Sequence, residues 1–460
     1  MMLKYGTVVL SLLATLILQP LQVTAEQPAV SDETAPPLPM RVSPVTIPAR
    51  IALVSGNALW IVEGSKPEAK PVKVQTKGSV DAIGWSHDGA WLLYQQRTKE
   101  FGPAYLWAAK ADGSVTRQVD SQPLSDQASW SPVQNMIAYS TLDPAGQLPE
   151  GNLKIATVYA DGQISSRVLL PGKSRVGAFA WAPDGKSLAV SLERLKTEPL
   201  LIDRVTLAGK RTRLMAEGGP VDPNVGIYPY LASGLTWSPD GKYLAFHVTV
   251  SSGSMSADGV AIQLLDTTKP NWIVELGVGL RYPQWLAWSP DSRQLAYIQG
   301  GRREATDNKH LFIVDVSAGF AIVDSGMKGY VDTQPRWTAK QPYAVVFARG
   351  RESFKMGTTE SGGVLVPGQR IWIRGRDGQE QAITVGPDST ADYDPQVSPD
   401  CRQLLFMRLH EAHKGSLYVQ EYPNGPAVPW LTGLSGEFGY YGNYYPSWIQ
   451  VFWERPRRSG

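Results

Sequence analysis

From about residue 50 onward, apolar and polar positions alternate in short runs and not in helical stripes. Runs such as Trp91-Leu92-Leu93-Tyr94 and Met136-Ile137-Ala138-Tyr139 are bounded by Gly, Pro, Asp and Ser. This pattern predicts strands joined by tight turns. The runs follow a recurring phrase: an apolar approach, Trp-Ser-Pro-Asp-Gly, two variable residues, and an apolar strand. Trp85, Trp130, Trp181, Trp237, Trp288 and Trp337 open successive copies, Val397 stands in the same place without the ring, and Trp448 begins an eighth. Pro presets φ for a turn, Asp bonds its own downstream backbone, and Gly tolerates positive φ. The phrase therefore joins two antiparallel strands, and its Trp is placed to pack between neighbouring units.

A second phrase supplies a third strand in every unit. It reads Leu59-Trp60-Ile61-Val62, Leu106-Trp107-Ala108-Ala109, Leu153-Lys154-Ile155-Ala156 and Leu200-Leu201-Ile202-Asp203. Farther on come Ala261-Ile262-Gln263-Leu264, Leu311-Phe312-Ile313-Val314, Ile371-Trp372-Ile373-Arg374 and Leu417-Tyr418-Val419-Gln420. A period near fifty residues with four strands per unit predicts an all-β propeller of four-stranded antiparallel blades. The first unit lacks its opening phrase, and the last consists of little else. The two ends are thus expected to share one blade, closing a ring of eight, with seven as the alternative if one degenerate copy is an insertion.

At these residues the chain resembles the TolB-like propellers, cousins of the WD-repeat proteins. The resemblance covers roughly residues 50 to 455. A TolB protein is a periplasmic part of a cell-envelope complex and carries an α/β domain before a six-bladed propeller. In this chain a linker precedes the repeats and the blade count is higher. What the resemblance implies is an exported propeller acting as a binding platform.

The N-terminus fits export. Lys4 precedes an apolar run from Thr7 to Leu18, and Val23-Thr24-Ala25 supplies small residues at cleavage spacing, the pattern of a secretory signal peptide over residues 1–25. The run is too short to span a bilayer, which leaves retention as a signal anchor the alternative to cleavage. Residues 26–49, rich in Pro, Glu, Thr and Val, read as an extended linker, residues 50–455 as the propeller, and 456–460 as a basic tail. No integral span is expected after cleavage, so the mature protein is placed in the periplasm or outside the cell.

Composition narrows the chemistry. With 44 Lys plus Arg against 42 Asp plus Glu, the formal charge is +2, too even for a general nucleic-acid or anionic-membrane binder. The single cysteine, Cys401, excludes an intrachain disulfide and a CxxC metal site, and it stands where most copies have Gly. The repeat also occurs in the propellers of prolyl-oligopeptidase-type enzymes, but Gly84-Trp85-Ser86-His87-Asp88 is not a nucleophile elbow, and the repeats leave no stretch for a hydrolase domain. His410-Glu411-Ala412-His413 is one residue short of a zincin motif, so its imidazoles would not share a helical face. Asp184, Asp240, Asp291 and Asp400 are turn residues of the repeat.

Tyrosine is the feature that the repeat leaves over. Tyr228, Tyr230, Tyr282, Tyr330, Tyr393, Tyr440, Tyr441 and Tyr444 lie in the segments leading into first strands. First strands of a propeller line the channel and begin at one face, on which the loops between second and third strands also open. Several of those loops are expected to be long: 97–103, 251–259, 300–309, 349–363 and 410–415. The tyrosines therefore define a candidate binding face for a protein, peptide or glycan of the envelope. No cofactor is implied. The alternative is a propeller enzyme of lyase or lactonase type using channel carboxylates; Asp81, Asp126, Asp332 and Asp394 precede or open first strands, and Asp332 and Asp394 are the candidates for holding a structural cation.

Overall fold

A computed structural model describes residues 38–99, 102–142, 151–219, 221–222, 224–353, 365–366, 368–436 and 447–454. Eight antiparallel sheets of at least four strands follow one another as the blades of a closed propeller. Blade 1 is shared between the chain ends: Ile449–Trp453 is its innermost strand and pairs with Ala49–Ser55, followed by Ala58–Glu63 and Val72–Lys73. The innermost strands of blades 2 to 5 are Ser79–Trp85, Leu124–Trp130, Val176–Trp181 and Pro229–Trp237. Those of blades 6 to 8 are Leu286–Trp288, Tyr330–Trp337 and Ala391–Val397. All eight expected third strands are present, so the ring has eight blades and the seven-bladed alternative falls.

The repeat phrase forms the predicted turn. Ser Oγ donates to Asp Oδ1 at 2.7 Å in Ser86–Asp88, Ser238–Asp240 and Ser289–Asp291. The same Asp oxygen accepts the N–H two residues on, from Ala90, Lys186, Lys242, Arg293 and Arg402 in the respective blades. Gly89, Gly185 and Gly241 take φ of 67°, 65° and 72°, where a Cβ is strained. Ser292 and Cys401 occupy the equivalent positions at 61° and 56°.

Each repeat Trp then ties its blade to the one before. The indole N–H donates to the carbonyl of the residue that precedes the previous blade's Trp: Trp130 to Gly84 (3.0 Å), Trp181 to Ser129 (3.2 Å), Trp237 to Ala180 (3.3 Å), Trp288 to Thr236 (3.3 Å) and Trp337 to Ala287 (2.8 Å). Trp85 makes the corresponding bond across the ring closure, to Gln450 at 2.9 Å. Trp181 and Trp237 are buried, as their well-formed copies predict.

Two expectations change. Residues up to 49 were expected to be linker, but Met40–Arg41 pairs with Thr432 and Leu431 as a fifth strand on blade 8. Beyond it the Trp430 indole donates to Val45 O at 2.8 Å, and Ile47 is fully buried. From Met40 on, this segment belongs to the propeller, because it covers an edge and an indole that would otherwise face water. Similarly, 410–415 is no long loop: Gln403–Glu411 and Lys414–Glu421 run on to a two-residue turn. Among the described residues no helix is long and apolar enough to cross a membrane.

Three outcomes test this account. Replacing Trp181 or Trp237 by Ala should cost about 3–5 kcal/mol in chemical denaturation, while the double change His410→Ala with His413→Ala should cost almost nothing. Cys401→Gly should raise the melting temperature, since a Cβ in left-handed backbone costs about 1–2 kcal/mol; Gly241→Ala should lower it. The third concerns pH. His247 in blade 5 is 1% exposed, and burial, helped by the charge of Arg281, lowers its pKa from 6.5 to about 4 despite a bond to the Leu280 backbone. Between these values the unfolded chain binds the proton that the folded chain refuses. Stability should therefore fall as pH drops from 6.5 towards 4, by about 1.4 kcal/mol per unit, and His247→Gln should lack that component of the slope in urea titrations.

Candidate functional site

Among the described residues, the face at which innermost strands begin carries an extended hydrogen-bonded loop cluster over blades 4 and 5. Second strands Ser187–Leu192 and Tyr243–Val250 end there, and residues 224–228 lead into blade 5. Arg194 holds these segments together from a buried position. Its Nε donates to Glu198 O (2.7 Å), Nη1 to Pro229 O (3.2 Å) and Nη2 to Gly219 O (2.6 Å), and its N–H donates to Tyr230 O at 3.0 Å. Ser251 joins from blade 5, its N–H donating to Tyr228 O (2.9 Å) and its hydroxyl to Gly226 O (3.3 Å). A short helix, Gly253–Ala257, follows, with Ser252 accepting from Met255 N–H.

This framework turns aliphatic side chains outward. Leu195 is 50% exposed, Val225 39%, Ile227 45% and Met255 51%. Tyr228 and Tyr230 are half-buried among these segments. Lys196 Nζ lies 5.9 Å from the centre of the Tyr228 ring. Burial, and then a hydrogen bond and charge from Glu193, push the Tyr230 hydroxyl well above its ordinary pKa, so it stays protonated. The patch thus offers apolar area edged by Lys196, Glu193 and two tyrosine hydroxyls, which suits recognition.

The other tyrosines part company. Tyr282 is half-buried with its ring edge-on to fully buried Trp285, centroids 4.8 Å apart. Tyr330 opens the innermost strand of blade 7 and is half-buried. Tyr393 is 2% exposed and packs edge-on against Trp448, so it is a core residue between blades 8 and 1 and no contact for a ligand. Tyr440, Tyr441 and Tyr444 lie outside the described residues. Tyr228 and Tyr230 lie together on this face and Tyr330 opens an innermost strand at it, while the sequence reading missed Leu195, Val225, Ile227 and Met255. Their signal was apolar residues in loops where the repeat demands none.

The carboxylates expected to hold a cation are otherwise engaged. Asp332, with no exposed surface, accepts from Arg349 Nε (2.5 Å) and Nη2 (3.0 Å) and from Leu311 N–H (3.0 Å). Burial alone would lower the Arg349 pKa, but Asp332 and Glu380 outweigh it and hold it above the ordinary value. Asp394 accepts from Arg336 Nη2 (3.0 Å), Gln396 Nε2 (2.9 Å) and the Ser447 hydroxyl. Each carboxylate has an arginine where the cation was expected, because burial demands a full charge partner close by. Asp81 is bonded to Gln95 (2.7 Å) and Arg97 (3.1 Å) at the surface, and Asp126 is exposed. Among the described residues no three His, Cys, Asp or Glu side chains gather as metal ligands do. His410 meets Ser416 Oγ at 3.3 Å and His413 meets Gly436 O at 3.0 Å, each with a separate partner.

One concavity, about 380 Å³, lies beside the repeat turns of blades 7 and 8. It is lined by Thr338, Pro342, Tyr343, Cys401 and Tyr422 among others, with no histidine or carboxylate.

No protein-family model matches the sequence, and no curated protein sequence matches it either. Solved structures do. A putative TolB from Agrobacterium tumefaciens is 18% identical, over 63% of this chain and 94% of its own, with a TM-score of 0.32. TolB from Acinetobacter baumannii is 14% identical, over 75% and 81%, with a TM-score of 0.33. A puromycin hydrolase is 18% identical, over 68% of this chain and 50% of its own, with a TM-score of 0.40. These likenesses stop at the fold, and they include both TolB proteins and a hydrolase. By its repeated turns and its eight blades of four or five antiparallel strands, this chain is an eight-bladed β-propeller.

Proposed function

We propose that this protein is a non-enzymatic binding platform of the cell envelope, and that it engages an apolar stretch of polypeptide through the face of blades 4 and 5. The observation that carries this reading is the exposure of Leu195, Val225, Ile227 and Met255 around Tyr228 and Tyr230. Large apolar side chains exposed on loop segments that are hydrogen-bonded to one another mark an interaction surface more than single ones on separate strands do. Four aliphatic side chains favour a protein or peptide over a glycan, which would call for flat rings framed by carboxylates and amides. Export and envelope residence rest on the signal-type pattern of the first 25 residues. The enzyme reading is weaker because Asp332 and Asp394 are each committed to an arginine.

Changing Leu195 and Ile227 together to Asp should abolish retention of the envelope partner captured by the wild-type domain, as losses of about 1–2 kcal/mol at each anchor compound. Lys186→Ala and Lys242→Ala, at turns of the opposite face, should leave capture intact. Melting temperature is the folding control for all three proteins. Undiminished capture by the Leu195/Ile227 variant would remove this face from the reading.

A further inference from the structure

The outer corner of blade 4 concentrates positive charge on a chain whose formal balance is only +2. Its third and fourth strands, Leu200–Thr206 and Arg211–Glu217, and the turn between them bring together Arg204, Lys210, Arg211 and Arg213. Arg167 reaches across from blade 3 to donate to Leu207 O at 2.6 Å. Asp203 is buried between two of them and accepts from both Arg211 (2.6 Å) and Arg213. Arg204 lies over the Trp237 ring, 5.1 Å from its centroid, and its Nε is buried without a partner. Asp203 thus offsets part of the charge of Arg211 and Arg213, while Arg167 and Lys210 have no ion pair among the described residues and Arg204 lies on the opposite face of the sheet.

The backbone beside them is open. Gly209 N–H donates to Thr206 O (2.8 Å) and Thr206 N–H to Lys210 O (2.9 Å), which sets the phase of the ladder. Thr212 is then paired inward with Arg204, and the N–H and C=O of Arg211 and Arg213 point away from the sheet. Farther along, Ala216 N–H is taken by Asn271 Oδ1 at 2.8 Å, which bounds the open stretch. Blade 8 shows such an edge in use: there Met40–Arg41 adds to Leu431 and Thr432 as a fifth strand, with the Arg41 guanidinium 4.6 Å from the centroid of the Trp430 ring.

We propose that the outer edge of blade 4 takes an extended acidic segment of a partner protein as a fifth strand. Alternate side chains of an added strand recur at about 6.6 Å, the interval that separates Arg211 from Arg213. Glu or Asp at alternate positions therefore meets both guanidiniums across the edge, with Arg167 alongside, and main-chain bonds fix the register. A single-stranded nucleic acid fits less well, because Trp237, the ring under Arg204, is buried and offers no stacking platform.

The test is fluorescence anisotropy with a labelled peptide of about twelve residues alternating Thr and Glu. The wild-type protein should bind it, and the Thr-Lys counterpart should not bind. Arg167→Gln with Lys210→Gln, which leaves the Asp203 pairs intact, should weaken binding about five- to tenfold at unchanged melting temperature. Methylating the peptide's backbone nitrogens on alternate residues, in either phase, keeps its charge and should cost at least one phase more than tenfold. The Leu195/Ile227 Asp variant should bind the Thr-Glu peptide as the wild type does, so this surface stands or falls apart from the face of blades 4 and 5. Absence of binding would overturn the proposal. So would equal affinity for both methylated peptides, for a sulfated oligosaccharide, or for an oligothymidylate of the same charge, since each would describe an indiscriminate polyanion surface.

Discussion

Everything in this ring depends on one hydrogen bond made six times, from a repeat tryptophan to the innermost strand of the preceding blade. The indole buries a large flat area between sheets, and its N–H satisfies a backbone carbonyl there. Because the bond has direction as well as strength, it fixes how far each blade is turned from the last. The Ser-Pro-Asp-Gly turn that follows is the other half of the device, since it sends the next strand back along the one the tryptophan has anchored.

Between blades 7 and 8, and between 8 and 1, that bond is missing. Blade 8 has Val397 in place of Trp, and Val451 takes the equivalent position in blade 1. A polar chain along the channel replaces the indoles there: Asp394 N–H donates to Gln334 Oε1 (2.9 Å), Arg336 donates to Asp394, and Ser447 of the closing segment donates to the same carboxylate. Gln334 and Asp394 sit at bulges with φ of 52° and 53°, a conformation that costs a side-chain-bearing residue energy and aims both groups at the neighbouring blade. Outside them, Asp332–Arg349 and Asp392–Arg408 form buried ion pairs, and Met40–Arg41 straps the outer edge of blade 8. Asp394 thus joins blades 7, 8 and 1 and Asp332 reaches blade 6 through Leu311 N–H, whereas the Asp332–Arg349 and Asp392–Arg408 pairs each lock the first two strands of one blade.

Since the repeat assigns its own residues to packing and turns, recognition falls to what the repeat does not specify. Over blades 4 and 5 the loops are held by Arg194, whose three guanidinium nitrogens each donate to a different backbone carbonyl, and this rigid support presents aliphatic side chains to solvent. At the blade 4 edge the repeat likewise fixes the strand but does not dictate its side chains, and here they include two arginines that pair with Asp203. The two surfaces differ in chemistry, one apolar and one basic.

By itself the sequence determined the blade, the number of blades and the sharing of one blade by both ends, because each follows from local turn chemistry repeated at a readable period. The burial of Trp181 and Trp237 was legible for the same reason. What only the tertiary structure decided were properties set by residues distant in sequence. Tyr393 and Tyr228 look alike in the chain, yet Trp448 covers the first while the second stays half-open among loops of two blades. Asp332 and Asp394 could be read as cation ligands until Arg349 and Arg336 came within hydrogen-bond reach. Residues 40–48 carried no strand signal, because their pairing partner lies nearly four hundred residues away. Exposure and charge pairing depend on which blade comes to lie beside which loop, and periodicity along the chain does not contain that.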